Sequence, residues 1–122
     1  MMNFQISRAL ADDAERLCAI ERAAVELFRG HEAWHAYSSM ALPGDIVHDL
    51  IVRGLVWVAT VDDEIVGFVC LDTEGPPDVI GVAEIDVLPP FGGKGIGAAL
   101  LEHACQWARE AGYRRVDLGT LA

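Results

Sequence analysis

Lysine is almost missing from this chain: its 122 residues hold one, Lys94. Lysine and arginine together make 9 cations against 19 carboxylates, a net charge of −10 with histidine neutral. A nucleic-acid binder needs a basic face to displace phosphate counterions, so that class of partner is excluded. Long apolar runs are lacking too. The longest, such as Leu55–Thr60, fall far short of the roughly 18 residues that would cross a bilayer as a helix, and no membrane partner is expected. The N-terminal MMNFQISRAL has no basic start, apolar core and small-residue cleavage site, so it does not read as a secretory signal. Cysteine is scarce and odd in number. Cys18, Cys70 and Cys105 are widely spaced with no CxxC, which excludes a disulfide scaffold. They are expected as reduced, buried, small apolar side chains in a cytoplasmic protein.

What is present suits one globular domain over residues 1–122, with 52% hydrophobic and 23% charged residues. Phe4 and Ile6 alternate with polar residues over Asn3–Ser7, as in a half-buried strand. Asp12 and Asp13 are placed to open a helix, in which Leu17, Ile20, Ala24 and Phe28 recur at helical spacing up to Gly30. Pro43 can start a second helix, with Ile46, Val47, Leu50 and Ile51 on one face and Gly54 after it. Leu55–Val61 and Glu64–Asp72, separated by Asp62-Asp63, read as a hairpin, and Val79–Leu88 as a further strand. Ile96–Ala111 predicts a long helix with two broad apolar stripes that leave it largely buried, and Arg114–Thr120 a last strand. The order β-α-α-β-β-β-α-β belongs to a layered α/β or α+β domain.

The segment between the motif strand and the long helix is the most informative. Phe91-Gly92-Gly93-Lys94-Gly95-Ile96-Gly97 follows Pro89-Pro90. The first amides of a helix have no partner inside it, and the helix dipole is positive there. Four glycines leave those amides open to a large anion, and the one lysine adds a charge at the same spot. A pyrophosphate is the natural ligand, against the alternative of a bare tight turn. The segment is not a P-loop, because Gly95 follows Lys94. A dinucleotide fingerprint would need glycine at Leu100, and although Asp117 stands about where a ribose-binding acid would sit, only one strand follows the loop.

Ile85-Asp86-Val87-Leu88-Pro89-Pro90-Phe91-Gly92-Gly93-Lys94-Gly95-Ile96-Gly97-Ala98-Ala99-Leu100-Leu101 resembles the acetyl-CoA motif of the GNAT superfamily of N-acetyltransferases, Q/R-x-x-G-x-G/A after a strand ending V-x-P. The resemblance extends over nearly the whole chain in element order. It implies a mixed, mostly antiparallel central sheet flanked by helices. It implies acetyl-CoA as cosubstrate, with no metal, and acetyl transfer to a primary amine of a small molecule or a peptide N-terminus. Gly92, Gly93, Lys94, Gly95, Ile96, Gly97 and Ala98 would then form the pyrophosphate loop. Ile85, Asp86 and Val87 would pair with the pantetheine arm through main-chain groups. Gly92 stands where the family has Gln or Arg, which removes one side-chain contact. The family continues beyond this last strand into another helix, often carrying a general-acid Tyr, and a final pair of strands. These are lacking up to Ala122, so a shortened form is expected, with a homodimer or strand exchange through the last strand. A non-catalytic acyl-CoA-binding module of the same fold is the alternative function.

Glu84 is the candidate general base on the motif strand, with Asp86 two residues on along the same face. In the family, strand-borne carboxylates more often fall at the positions of Ala83 and Gly81, so Glu84 is out of phase unless a bulge shifts the register. An ordinary polar role for Glu84 is the competing reading. His31-Glu32-Ala33-Trp34-His35 matches HExxH, the pattern of a helical zinc hydrolase, but without a helical period around it or a third ligand nearby. In the GNAT reading the same segment lines the acceptor side, where Trp34, His35 and Tyr37 would contact the amine. His103 and Trp57 are read as structural and His48 as solvent-facing.

Overall fold

The computed structural model of the chain describes residues 3–25 and 43–118. Its elements are β1 (Gln5–Arg8), α1 (Ala14–Val25), α2 (Gly44–Val52), β2 (Val56–Val61), β3 (Glu64–Asp72), β4 (Val79–Val87), α3 (Ile96–Glu110) and β5 (Arg115–Leu118). Among the described residues this is the order expected from the periodicities. The strands form one sheet in the order β1-β2-β3-β4-β5. The first three pairings are antiparallel and β4–β5 is parallel, as chain direction requires when a helix crosses over between two strands.

The β2–β3 hairpin closes on Asp62 and Asp63, at φ 50° and 67°. Two positive φ values at the turn centre give the backbone twist that matches paired strands, and aspartate tolerates them. Helix α1 does not begin on Asp12 as expected. A single 3-10 turn, Ala11–Asp13, precedes it, and the Asp13 carboxylate accepts from the Leu10 N–H at 2.8 Å. In α2, Val47, Leu50 and Ile51 are buried but Ile46 is 45% exposed. Those three positions centre the apolar stripe about a quarter turn away from Ile46. In α3, Ile96, Leu100, Ala104 and Ala108 are buried, while Leu101, Cys105 and Trp107 are only half-buried. The helix therefore lies on the sheet with one side wet instead of being largely enclosed. The three cysteines carry free thiols, of which only Cys70 is buried. No described helix is long and apolar enough to cross a membrane.

The sheet separates two layers. Helix α1 packs on β3 and β4 and against α2, and α3 packs on β2, β3 and β4. Residues paired across strands point to the same face, so the register identifies each face. Gly67, opposite Val87, lies under α3: a Cβ added there would meet Leu100 at 3.4 Å. Trp57 and Val69 pair on that face, and Trp57 packs tilted against Trp107 of α3 at 5.5 Å between centroids, so of the two structural places read for Trp57, core or sheet surface, it takes the core. Phe68 and Cys70, one residue out of phase, face α1.

Candidate active site

Strand β4 carries the decisive irregularity. Cys70 pairs with Glu84 but Leu71 pairs with Val82, so β3 advances one residue while β4 advances two. Ala83 is the extra residue of a β-bulge. On one side of it Val82, and Ile80 two residues earlier, point under α3 with Leu71. On the other side Ile85 and Val87 do so, with Val69 and Gly67. The bulge therefore turns Glu84 and Asp86 onto the α1 face. In a regular strand 80, 82, 84 and 86 would share one face, and both carboxylates would be driven beneath α3. The condition attached to Glu84 in the sequence is met.

On the α1 face the two carboxylates meet a third. Oxygens of Glu21, Glu84 and Asp86 lie within 4.8 Å of one another. Glu21 is 3% exposed. Burial, then the hydrogen bond to Asp86 and the Asp86 charge, push Glu84 up to about 8, while a hydrogen bond with Glu21 works the other way. Burial lifts Asp86 to about 6, with Glu21 adding to the rise and the Glu84 hydrogen bond opposing it. Asp86 Oδ2 is buried and makes no hydrogen bond among the described residues. Burial also raises the facing Cys70 thiol, with Glu84 the next cause, which removes it as a nucleophile near neutral pH. Glu21 escaped the sequence reading. Its signal was there: with Leu17, Ile20 and Ala24 it completes an i, i+3, i+4, i+7 stripe, and a carboxylate inside a buried stripe demands a partner.

The described β4–β5 pairing stops just before the bulge. β5 runs beside β4 from Val79 to Val82, and among the described residues nothing pairs with that edge of β4 beyond it. The Leu88 N–H donates to the Val66 carbonyl of β3. Main-chain groups alternate in direction along a strand, so those of Asp86 also face β3. Those of Ile85 and Val87 face the other edge, away from β3, which is unpaired there among the described residues. Of the three expected main-chain contacts, Ile85 and Val87 are placed to make them, and Asp86 instead brings its side chain to the carboxylate cluster.

Past β4, Pro89–Phe91 make one 3-10 turn, with Gly92 accepting ordinary extended angles at its end. Gly93 and Gly95 follow at φ 72° and 85°, values at which a side chain is strained, and a Cβ on either would meet nothing within 4 Å. Gly95 caps α3, and the first helical bond runs from the Ala99 N–H to the Gly95 carbonyl at 3.0 Å. Among the described residues no main-chain carbonyl accepts from the amides of Gly93 to Ala98. Gly92, Gly93, Lys94, Gly95 and Ala98 are exposed, Gly97 is half-buried and Ile96 anchors the turn in the core. Open space over unpartnered amides at a helix N-terminus is an anion cradle.

A family model described as the Acetyltransferase (GNAT) family matches residues 14–122. The chain belongs to the GNAT family. This GNAT acetyltransferase is 36% identical to an uncharacterized N-acetyltransferase of Archaeoglobus fulgidus, the match covering 93% of this chain and 80% of that one. Its structure resembles a GNAT family acetyltransferase from Brucella melitensis in complex with acetyl-CoA, with 25% identity and a TM-score of 0.73 over 100% of this chain and 79% of the other. The fold is also that of the PaiA N-acetyltransferase from Thermoplasma acidophilum in complex with coenzyme A, with a TM-score of 0.79 at 20% identity over 92% and 76% of the two chains.

The remaining candidates of the GNAT chain lie elsewhere. Trp34, His35 and Tyr37, and with them the HExxH segment, fall outside the described residues. His48 is exposed on α2. His103 is exposed on α3, its ring 6.4 Å from that of Trp57. It lines a cleft of about 340 Å³ with Arg8, Trp57, Gln106, Trp107 and Glu110, at the opposite end of α3 from the glycine loop. Asp117 pairs with Arg115 at 3.5 Å on the surface.

Proposed function

We propose that this GNAT acetyltransferase transfers an acetyl group from acetyl-CoA to the amine of a small molecule or a peptide N-terminus, with Glu84 as general base. The observation that carries the reading is the bulge at Ala83. It places a half-buried carboxyl just past the last described β4–β5 pair, beside a stretch of β4 edge that has no strand partner among the described residues. The residues fit the cosubstrate. The amides of Gly93, Gly95, Ile96, Gly97 and Ala98 and the charge of Lys94 suit a pyrophosphate, and no Cβ fills the space over Gly93 and Gly95. The extended pantetheine arm continues the sheet by bonding Ile85 and Val87 as β5 bonds the first half of β4. Acetyl-CoA supplies the activated acyl group. As the acceptor nitrogen forms the amide bond the thioester C–S bond breaks, and coenzyme A leaves as the thiol with one proton from that nitrogen; the protein takes the other.

That proton belongs to the acceptor, because an amine attacks a carbonyl only as the free base. Glu84 accepts it. A carboxyl lifted to about 8 matches an ammonium far better than an ordinary carboxylate does, and matching near the working pH makes proton transfer efficient. An arriving cation also favours the ionised form of Glu84. Asp86 Oδ2, buried with no hydrogen bond among the described residues, is a ready acceptor for a second N–H. The test is thiol release from acetyl-CoA across an amine panel between pH 6 and 9. Wild-type kcat/KM is expected to rise with pH and level off above about 8. Glu84→Gln is expected to lower it roughly 10²- to 10⁴-fold, the usual contribution of a general base, without weakening coenzyme A binding. Full activity in Glu84→Gln rejects the assignment.

A further inference from the structure

Glu21 sits in α1, which packs over β3 and β4. It is the most buried of the three acids, at 3% exposed, and it hydrogen-bonds Glu84. A hydrogen bond between two carboxyl groups contains a proton, and three acids whose oxygens lie within 4.8 Å cannot all be ionised. Burial disfavours charge most where it is deepest, so the proton of that bond sits best on Glu21. We propose that Glu21 is a positioning residue of the transfer reaction, its buried carboxyl donating a hydrogen bond to Glu84 and so holding that carboxylate oriented and ready to accept the proton of the incoming amine.

Among the described residues, Glu84 is faced by Glu21 from α1, by Cys70 from β3 and by Asp86 on its own strand, and Cys18 of α1 stands near Cys70 and Glu21. Both thiols are raised by burial and stay neutral. From β5, Arg115 and Asp117 stand beside Val79 and Gly81 beyond the bulge and pair with each other. α3 covers the opposite face. Among these groups Glu21 is the hydrogen bond that favours ionised Glu84, while burial and Asp86 oppose ionisation. The proposal rests on Glu84 as base, and it adds the residue that sets when that base is available.

The test is the acid limb of the kcat/KM profile in two variants of similar shape. Glu21→Met removes the hydrogen bond and keeps the site filled. A hydrogen bond to a charged group is worth one to two pK units, so the limb is expected to move up by about one to two pH units. Glu21→Gln keeps an N–H donor, and its limb is expected within about 0.3 unit of the wild type. A limb that stays or falls in Glu21→Met, or departs by a full unit in Glu21→Gln, overturns the proposal. A merely structural role would lower activity in both without moving either limb. Should Glu21→Met fail to fold, infrared difference spectra decide. A protonated-carboxyl band that persists in the wild type after Glu84 has ionised and disappears in Glu21→Gln is expected, and no such band overturns the proposal. An inactive Glu84→Gln with an unmoved Glu21→Met limb strikes the role of Glu21 alone. A fully active Glu84→Gln removes both.

Discussion

Replacing Gly95 by glutamate separates the loop's binding role from its folding role. Gly95 holds φ 85° at the N-terminus of α3, with no atom within 4 Å of an added Cβ. The substitution therefore meets no packing obstacle. Its folding cost is the left-handed backbone, about 1–2 kcal/mol for a residue with a Cβ. A negative charge at a helix N-terminus recovers about 0.3–1 kcal/mol of that. A net loss near 1 kcal/mol lowers the melting temperature of a chain this size by a few degrees. Binding suffers far more. The new side chain occupies the space over the amides and sets a carboxylate against a pyrophosphate. Losing two charge-assisted hydrogen bonds of about 1.5–3 kcal/mol each amounts to roughly 3–6 kcal/mol, or a 10²- to 10⁴-fold rise in Kd. Calorimetric titration with coenzyme A measures it directly. Gly75→Glu is the control: Gly75 lies in the turn before β4, at the far end of the strand from the loop, with open space at its Cβ. Unchanged affinity in Gly95→Glu, with the control also unchanged, would refute the pyrophosphate cradle.

Two further outcomes follow from the same geometry. Gly67→Ala places a Cβ 3.0 Å from the Asp86 carbonyl and 3.2 Å from Val87, so β4 must shift. A loss of about 1–3 kcal/mol is expected in urea titration, as for other overpacked cores, together with a raised KM for acetyl-CoA because Val87 is one of the two residues proposed to bond the pantetheine arm. Glu84 and Asp86 bind their protons more tightly folded than unfolded, with folded values of about 8 and 6. The stability this confers is complete below about pH 4, where both are protonated in either state, and it is lost as pH rises through 6 and then 8. The melting temperature should fall across that window, and Glu84→Gln should flatten the upper part of the fall.

The bulge explains why the site was harder to read than the fold. Periodicity along Val56–Val61 or Ile96–Glu110 reports local conformation and a wet or dry face, and both are imprinted residue by residue. Periodicity across Glu84 reports the wrong face, because one added residue, Ala83, reverses the alternation with no change in composition. Glu21 is 63 positions from Glu84 in the chain. Its role depends on α1 lying over β4, which no pattern within α1 encodes.

The sequence by itself determined the glycine loop, the order of elements and the family, because strained backbone angles and bare helix amides are properties of a few neighbouring residues. Tertiary structure alone decided that Glu84 turns away from α3, that Ile85 and Val87 turn their main-chain groups away from β3, and that Glu21 joins the cluster. Protonation of a buried carboxyl depends on its neighbours in space, and those arrive only when the helix layer closes over the sheet.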